Sequence, residues 1–178
     1  MAGAPTDGYQ YASLAAALSA PISRGNVSIS SSDTADQPLI NPNWLTSPTD
    51  QQVAIAGYRR IREIFQSQVM QQNVVIGPEY FPGTNISTDG QILDLIKKSF
   101  NTLGHASSTC KMGEENDPDA VVDSQGRVYG AQNLRVVDAS ILPVLPPGLP
   151  QGTICEYRCR ASITSADASS IQICLQRR

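Results

Sequence analysis

Histidine is nearly absent from this chain: of 178 residues only His105 carries an imidazole. Lys and Arg total 13 and form no cluster, and the net charge is −3, so the grouped cations that neutralise nucleic-acid phosphates are missing. No run approaches the roughly 18 apolar residues of a membrane span. Met1 to Gln10 shows neither a basic n-region nor an apolar h-region, so no signal peptide is expected. The 13 glycines never produce a Gly-x-Gly-x-x-Gly turn, the usual receiver of a dinucleotide diphosphate. Nucleic acid and membrane are therefore not expected partners.

Cysteine is sparse as well. Cys110, Cys155, Cys159 and Cys174 are too few and too unevenly placed for a disulfide framework. Cys155-x3-Cys159 lacks both a nearby histidine and a paired C-x-x-C, so no metal site is expected. Asn26-Val27-Ser28 and Asn85-Ile86-Ser87 are glycosylation triplets, which arise often by chance and matter only on a secretory route. The compartment stays open.

What is present suits a globular chain: 40% hydrophobic and 16% charged residues, long enough to bury a core. Residues 13–30 open as a short apolar helix or coil and end in the alternating Asn26-Val27-Ser28-Ile29-Ser30, a half-buried strand. Pro38-Leu39-Ile40-Asn41-Pro42 is a second extended piece whose prolines place it at an edge. Ser47-Pro48-Thr49-Asp50 opens a helix over about 48–66: Ser47 can cap it, Pro48 suits its first position and Asp50 faces the positive dipole end. Its apolar face is Val53, Gly57, Ile61, Ile64 and Phe65, opposite Arg59, Arg60, Arg62 and Glu63. Thr88-x-x-Gln91 is a capping box for a helix near 89–100 with the face Ile92, Leu95, Ile96 and Phe100. Both helices read as packing elements. Ala120 to Asp123 and Leu134 to Asp138 read as two short strands around a turn at Ser124-Gln125-Gly126. From Cys155 to Arg178 no period is clean, and nothing there requires a stable element.

Chemistry concentrates around His105. An imidazole titrates near working pH and can take a hydroxyl proton. Read from its neighbours alone, His105 is as readily a loop histidine satisfied by the hydroxyls of Ser107, Ser108 and Thr109. Asp138 likewise has a plain reading, as the cap of a turn from Ser140 onward. Cys110 reads as a small buried residue rather than a nucleophile.

Several spaced motifs alter that balance. Pro21-Ile22-Ser23-Arg24-Gly25-Asn26-Val27, Asn41-Pro42-Asn43-Trp44-Leu45 with Thr49-Asp50, the His105-x-x-x-Thr109-Cys110-x-Met112 block, Asn133 to Ser140, and Pro146-Pro147-Gly148 occur in order. From about Tyr11 to Ile154 the chain resembles the C-terminal segment of the glucose-methanol-choline (GMC) flavoprotein oxidoreductases, with a flavour of the fungal secondary-metabolism branch. The resemblance implies an α/β fold: an α+β substrate domain with an antiparallel sheet and packing helices, as the C-terminal part of a two-domain FAD enzyme. It divides the chain into a partial substrate-binding region (1–119), a segment returning to the FAD-binding domain (120–154) and a tail outside the pattern (155–178). It implies a small-molecule alcohol substrate oxidised at a CH–OH carbon, with hydride going to FAD. His105 resembles the proton-accepting histidine. Asp138 and Ala139 resemble the pair that meets FAD, and Pro150, Gln151 and Thr153 resemble the stretch against the isoalloxazine.

Three departures accompany the resemblance. The segments that bind the FAD diphosphate do not occur, so the chain looks like the C-terminal third of an enzyme and is expected to be colourless and inactive alone. Leu149 stands where the family carries a second histidine or an asparagine, and leucine can neither donate nor accept a hydrogen bond. Similarity stops after Ile154, where a frame change or altered splice is one explanation. Two alternatives follow: a non-catalytic remnant or fragment docking on a complete homologue, and a flavin-containing non-redox cyclase of polyketide metabolism.

Overall fold

A computed structural model describes residues 6–74, 77–164 and 171–173. The chain divides into two compact units, residues 1–25 with 40–101, and residues 26–39 with 102–178. Among the described residues no helix is long and apolar enough to cross a membrane.

The strands β1 (Asn26–Ser28) and β2 (Leu39–Asn41) form a two-stranded sheet where both were expected. Neither strand is half-buried. Val27 is 52% exposed and Ile40 61%, because nothing described covers either face. The segment before β1, read as helix or coil, is irregular.

The first unit is built on helices. α1 (Pro48–Gln66) spans the expected residues with Pro48 in its first turn, but the Ser47 side chain makes no cap. The Ser47 N–H instead donates to Ser23 Oγ at 3.0 Å. The buried stripe of α1 is rotated from the expected face. Asp50, Ala54 and Ile55 are buried, whereas Val53 and Ile64 are 52% and 41% exposed. Arg62 explains part of the rotation. Counted as a solvent-side charge, it is half-buried and bonds both oxygens of Glu79 at 3.0 Å and the Gly83 carbonyl at 3.0 Å. A short helix α2 (Gln68–Asn73), not foreseen, follows. α3 (Asp89–Ser99) starts at the expected capping box: the Gln91 N–H donates to Thr88 Oγ1 at 3.3 Å, and the Thr88 N–H to Gln91 Oε1 at 3.1 Å. α3 packs on α1 through Ile92, which is 1% exposed. Just past α3, the Phe100 ring meets Trp44 edge-on at 5.3 Å.

Asp50 is the pivot of this unit. Buried at the start of α1, it accepts from the Ile22 N–H at 2.8 Å, the Ser23 N–H at 2.7 Å and the Ser23 hydroxyl. Burial pushes its carboxyl up, but the bonds from Ile22 and Ser23 outweigh burial and hold it below the ordinary carboxylate range. Gly25, two residues on, lies so close to Pro42 that an added Cβ would come within 2.8 Å of the Pro42 Cα. Only glycine fits there.

The second unit has little regular structure. β3 (Leu134–Val136) pairs in parallel with β4 (Ile171–Ile173), Leu134 opposite Ile171. The strand expected at 120–123 survives as isolated bridges from Val122 to Met112 and Val128. Val122, Val137 and Ile141 form its apolar centre. A single 3-10 turn spans Ala139–Ile141. Finally α4 (Gln151–Thr164) runs straight through Cys155 to Arg160, where no element was required. It has no clean apolar face, yet after Gly152 it contains neither glycine nor proline, and backbone propensity can carry it. Strands and helices mix as the α/β expectation requires.

Candidate functional site

The loop from Gly104 to Gly113 is positioned by main-chain groups. Gly104 and Ser108 both have positive φ, +72° and +70°, which kinks the chain on either side of His105. Beyond the second kink the loop runs along the 3-10 turn. The Ser108 N–H donates to the Ala139 carbonyl at 3.3 Å, Cys110 to Ser140 at 2.9 Å, and Met112 to Ile141 at 2.9 Å. Alternate residues of one segment thus bond successive residues of the other. The His105 loop and the Asp138-Ala139 pair, well separated in sequence, become neighbours.

His105 itself is half-buried, and its Nε2 is sealed from solvent with no hydrogen-bond partner among the described residues. The hydroxyls of Ser107 and Ser108 face each other at 3.4 Å. A loop histidine satisfied by its neighbours would look different. Leaving a buried polar nitrogen unpaired costs about 1–3 kcal/mol, so such atoms are rare.

Asp138 shows the opposite behaviour. Its Oδ1 accepts from the Ser140 N–H at 2.8 Å and the Ser140 hydroxyl at 2.5 Å, capping the 3-10 turn. The plain reading of Asp138 is therefore realised, with one carboxylate oxygen committed and Oδ2 remaining for other contacts. Ala139 is half-buried beside it.

Pro150 is buried, while Gln151 and Thr153 are exposed in the first turn of α4. The Ile154 N–H donates to the Pro150 carbonyl at 3.0 Å, closing that turn. The rest of α4 is anchored by Tyr157. At Gly126 (φ +73°) a Cβ would lie 2.5 Å from the Tyr157 hydroxyl and 2.8 Å from the Val136 carbonyl. Tyr157 thus ties α4 to the turn beside β3, the strand that leads into Asp138. The Tyr157 hydroxyl is itself buried without a partner among the described residues, and burial pushes its pKa up. Reasoning from sequence missed Tyr157, since it stands where no element was expected. Leu149 is 78% exposed just before α4.

Around this constellation the ion pairs are structural. Lys111 bonds Asp117 at 2.7 Å, and Asp123 takes the Gln125 and Arg127 N–H groups and the Arg127 guanidinium to set the turn at Gly126. Cys110 is half-buried and free. Two shallow depressions, of about 210 and 220 Å³, are lined by residues between 29 and 38 and by residues from 17–22 and 49–53, and His105 lines neither.

Comparison with known proteins matches the chain to one family. The family profile described as "GMC oxidoreductase" covers residues 21–156. Patulin synthase of Penicillium expansum is 56% identical over 150 residues, covering 84% of this chain and 24% of that protein. Versicolorin B synthase of Aspergillus parasiticus is 49% identical over 148 residues, covering 83% and 23%. Among solved structures, an FAD-dependent oxidoreductase from Chaetomium thermophilum superposes with a TM-score of 0.74 at 34% identity, covering 83% of this chain and 25% of that one. The chain spans about a quarter of the length of the curated relatives it matches. With its profile spanning most of the sequence and its relatives far above chance identity, the chain belongs to the GMC oxidoreductase family.

Proposed function

We propose that this chain is the C-terminal portion of an FAD-dependent oxidoreductase acting on the CH–OH group of small-molecule alcohols, and that His105 is its proton acceptor. The observation that carries the reading is the Nε2 of His105, withdrawn from water and left without a partner. Such an atom is poised to receive a proton from a hydroxyl brought to it, because no group among the described residues competes for its lone pair. FAD, when bound, supplies the acceptor for the hydride that leaves the carbinol carbon.

The residues present fit the part of that cofactor they are proposed to meet. Asp138 Oδ2 and the backbone at Ala139 would face its ribityl or diphosphate region. Pro150, Gln151 and Thr153, at the positive end of α4, would lie against the ring. The hydrogen bonds between Ser108–Met112 and the 3-10 turn hold base and cofactor contacts in fixed relation. In this reading residues 1–119 contribute to substrate binding, 120–154 return to the FAD-binding domain, and 155–178 lie outside the family pattern. Leu149 supplies no polar group to the substrate oxygen, so turnover is slow. That deficit favours a second reading, a non-redox ring closure in which flavin is structural.

The test is a chimera. Residues 21–154 replace the matching segment of the Penicillium expansum patulin synthase, and flavin reduction is followed by absorbance with a panel of primary alcohols. The chimera should retain flavin and reduce it, and L149N should raise the rate. A chimera that holds flavin but is never reduced by any alcohol, while converting a cyclisable substrate, selects the second reading. The chain purified alone should be colourless; stoichiometric bound flavin would overturn that expectation.

A further inference from the structure

We propose that Cys155 and Cys159 form a dithiol site on α4 that takes a trivalent organoarsenical, an R–As=O centre, across one helical turn. Both thiols are free and exposed. In a helix, residues four apart are about 40° apart around the axis, with Cβ atoms about 6 Å apart, so both sulfurs can close on one small bridging atom. Tyr157 fixes which way this face points. It sits about 160° or more round the axis from both cysteines, and its hydroxyl is buried against the Gly126 turn. The side of α4 bearing the thiols therefore faces away from the contact that Tyr157 makes, and both thiols are exposed.

The number of ligands selects the chemistry. Among the described residues no group of three or more metal-ligating side chains exists, and a tetrahedral ion would want four ligands. An organoarsenic centre already holds one carbon and needs only two sulfurs. The reaction is a condensation: two S–H bonds and the As=O bond are lost, two As–S bonds form, and one water leaves with both protons. Arsenic stays trivalent and no oxidant is required. The helix makes the pair into a site; sequence spacing alone left it as two unrelated thiols.

Phenylarsine oxide is the probe, added to the reduced chain and followed by titration of remaining thiols. One equivalent should block two thiols, reversibly with a competing small dithiol and not with a monothiol. C155S and C159S should each weaken capture by on the order of 10²-fold, the gain expected from two-point attachment. A C110S/C174S chain should bind like the wild type, which removes the half-buried thiol and Cys174, a residue outside those described. In C155S/I154C the two thiols, at positions 154 and 159, are about 140° apart on the helix, so capture should fall as far as in C155S. Undiminished capture in C155S, or in C155S/I154C, would overturn the proposal. Serine at exposed positions leaves α4 intact, and circular dichroism of each variant confirms it.

Discussion

The two compact units treat buried polar groups in opposite ways. In the first, Asp50 is 3% exposed and every contact around it is a hydrogen bond received. In the second, His105 Nε2 and the Tyr157 hydroxyl are buried and have no hydrogen-bond partner among the described residues. A satisfied buried carboxylate fastens one segment to another and is finished. An unsatisfied one keeps its bonding capacity for something that arrives later, or marks a local misfit. The contrast separates structure from chemistry better than burial alone.

The largest effect should come from the unsatisfied side. In the flavin-bearing chimera, H105N should lower the rate of flavin reduction by about 10²–10⁴-fold, equivalent to about 3–5 kcal/mol of barrier, while urea denaturation of the chain shifts little. If H105N reduces flavin as fast as the parent, the contrast fails. Next comes D50A, which strands the Ile22 and Ser23 donors and should destabilise the first unit by about 3 kcal/mol in the same denaturation experiment. Equal stability of D50A and wild type would show that the latch carries no weight.

Acid sharpens the comparison further. The Asp50 carboxyl titrates lower in the folded chain than in the unfolded one, so the unfolded state binds protons first. Its contribution is complete above the unfolded carboxylate range near pH 4, and it is lost as pH falls through the lower folded value. Stability followed from pH 6 to pH 2 should decline in wild type and decline less in D50N. Smaller still is T88A, which removes the cap of α3 and should cost about 1 kcal/mol. Last is Y157F: deleting an unpartnered hydroxyl should leave stability unchanged or raise it by less than about 1 kcal/mol. A clear loss in Y157F would reveal a bond at Gly126 and remove Tyr157 from the unsatisfied group.

The helices of the first unit were legible because their signals are local. Pro48 and the Thr88-Gln91 box fix the starts of α1 and α3 from adjacent residues. The buried face of α1 was only half legible. Asp50 and Arg62 look like solvent charges until Ile22, Ser23 and Glu79 arrive from distant positions. α4 was not legible, since its residues form no apolar stripe at helical spacing and the anchor Tyr157 depends on Gly126. For the candidate site, motif order named His105 and Asp138, and their proximity is now explained by backbone bonds.

Because the seam between Ser108–Met112 and Ala139–Ile141 is made by amides and carbonyls, it is blind to side-chain identity. Residues there can be exchanged to reshape reactivity while the spacing between the loop and the turn persists. Two exceptions stand: a β-branched residue at the left-handed Ser108 would be strained, and proline at 108, 110 or 112 deletes a donor and would unfasten the loop from the turn.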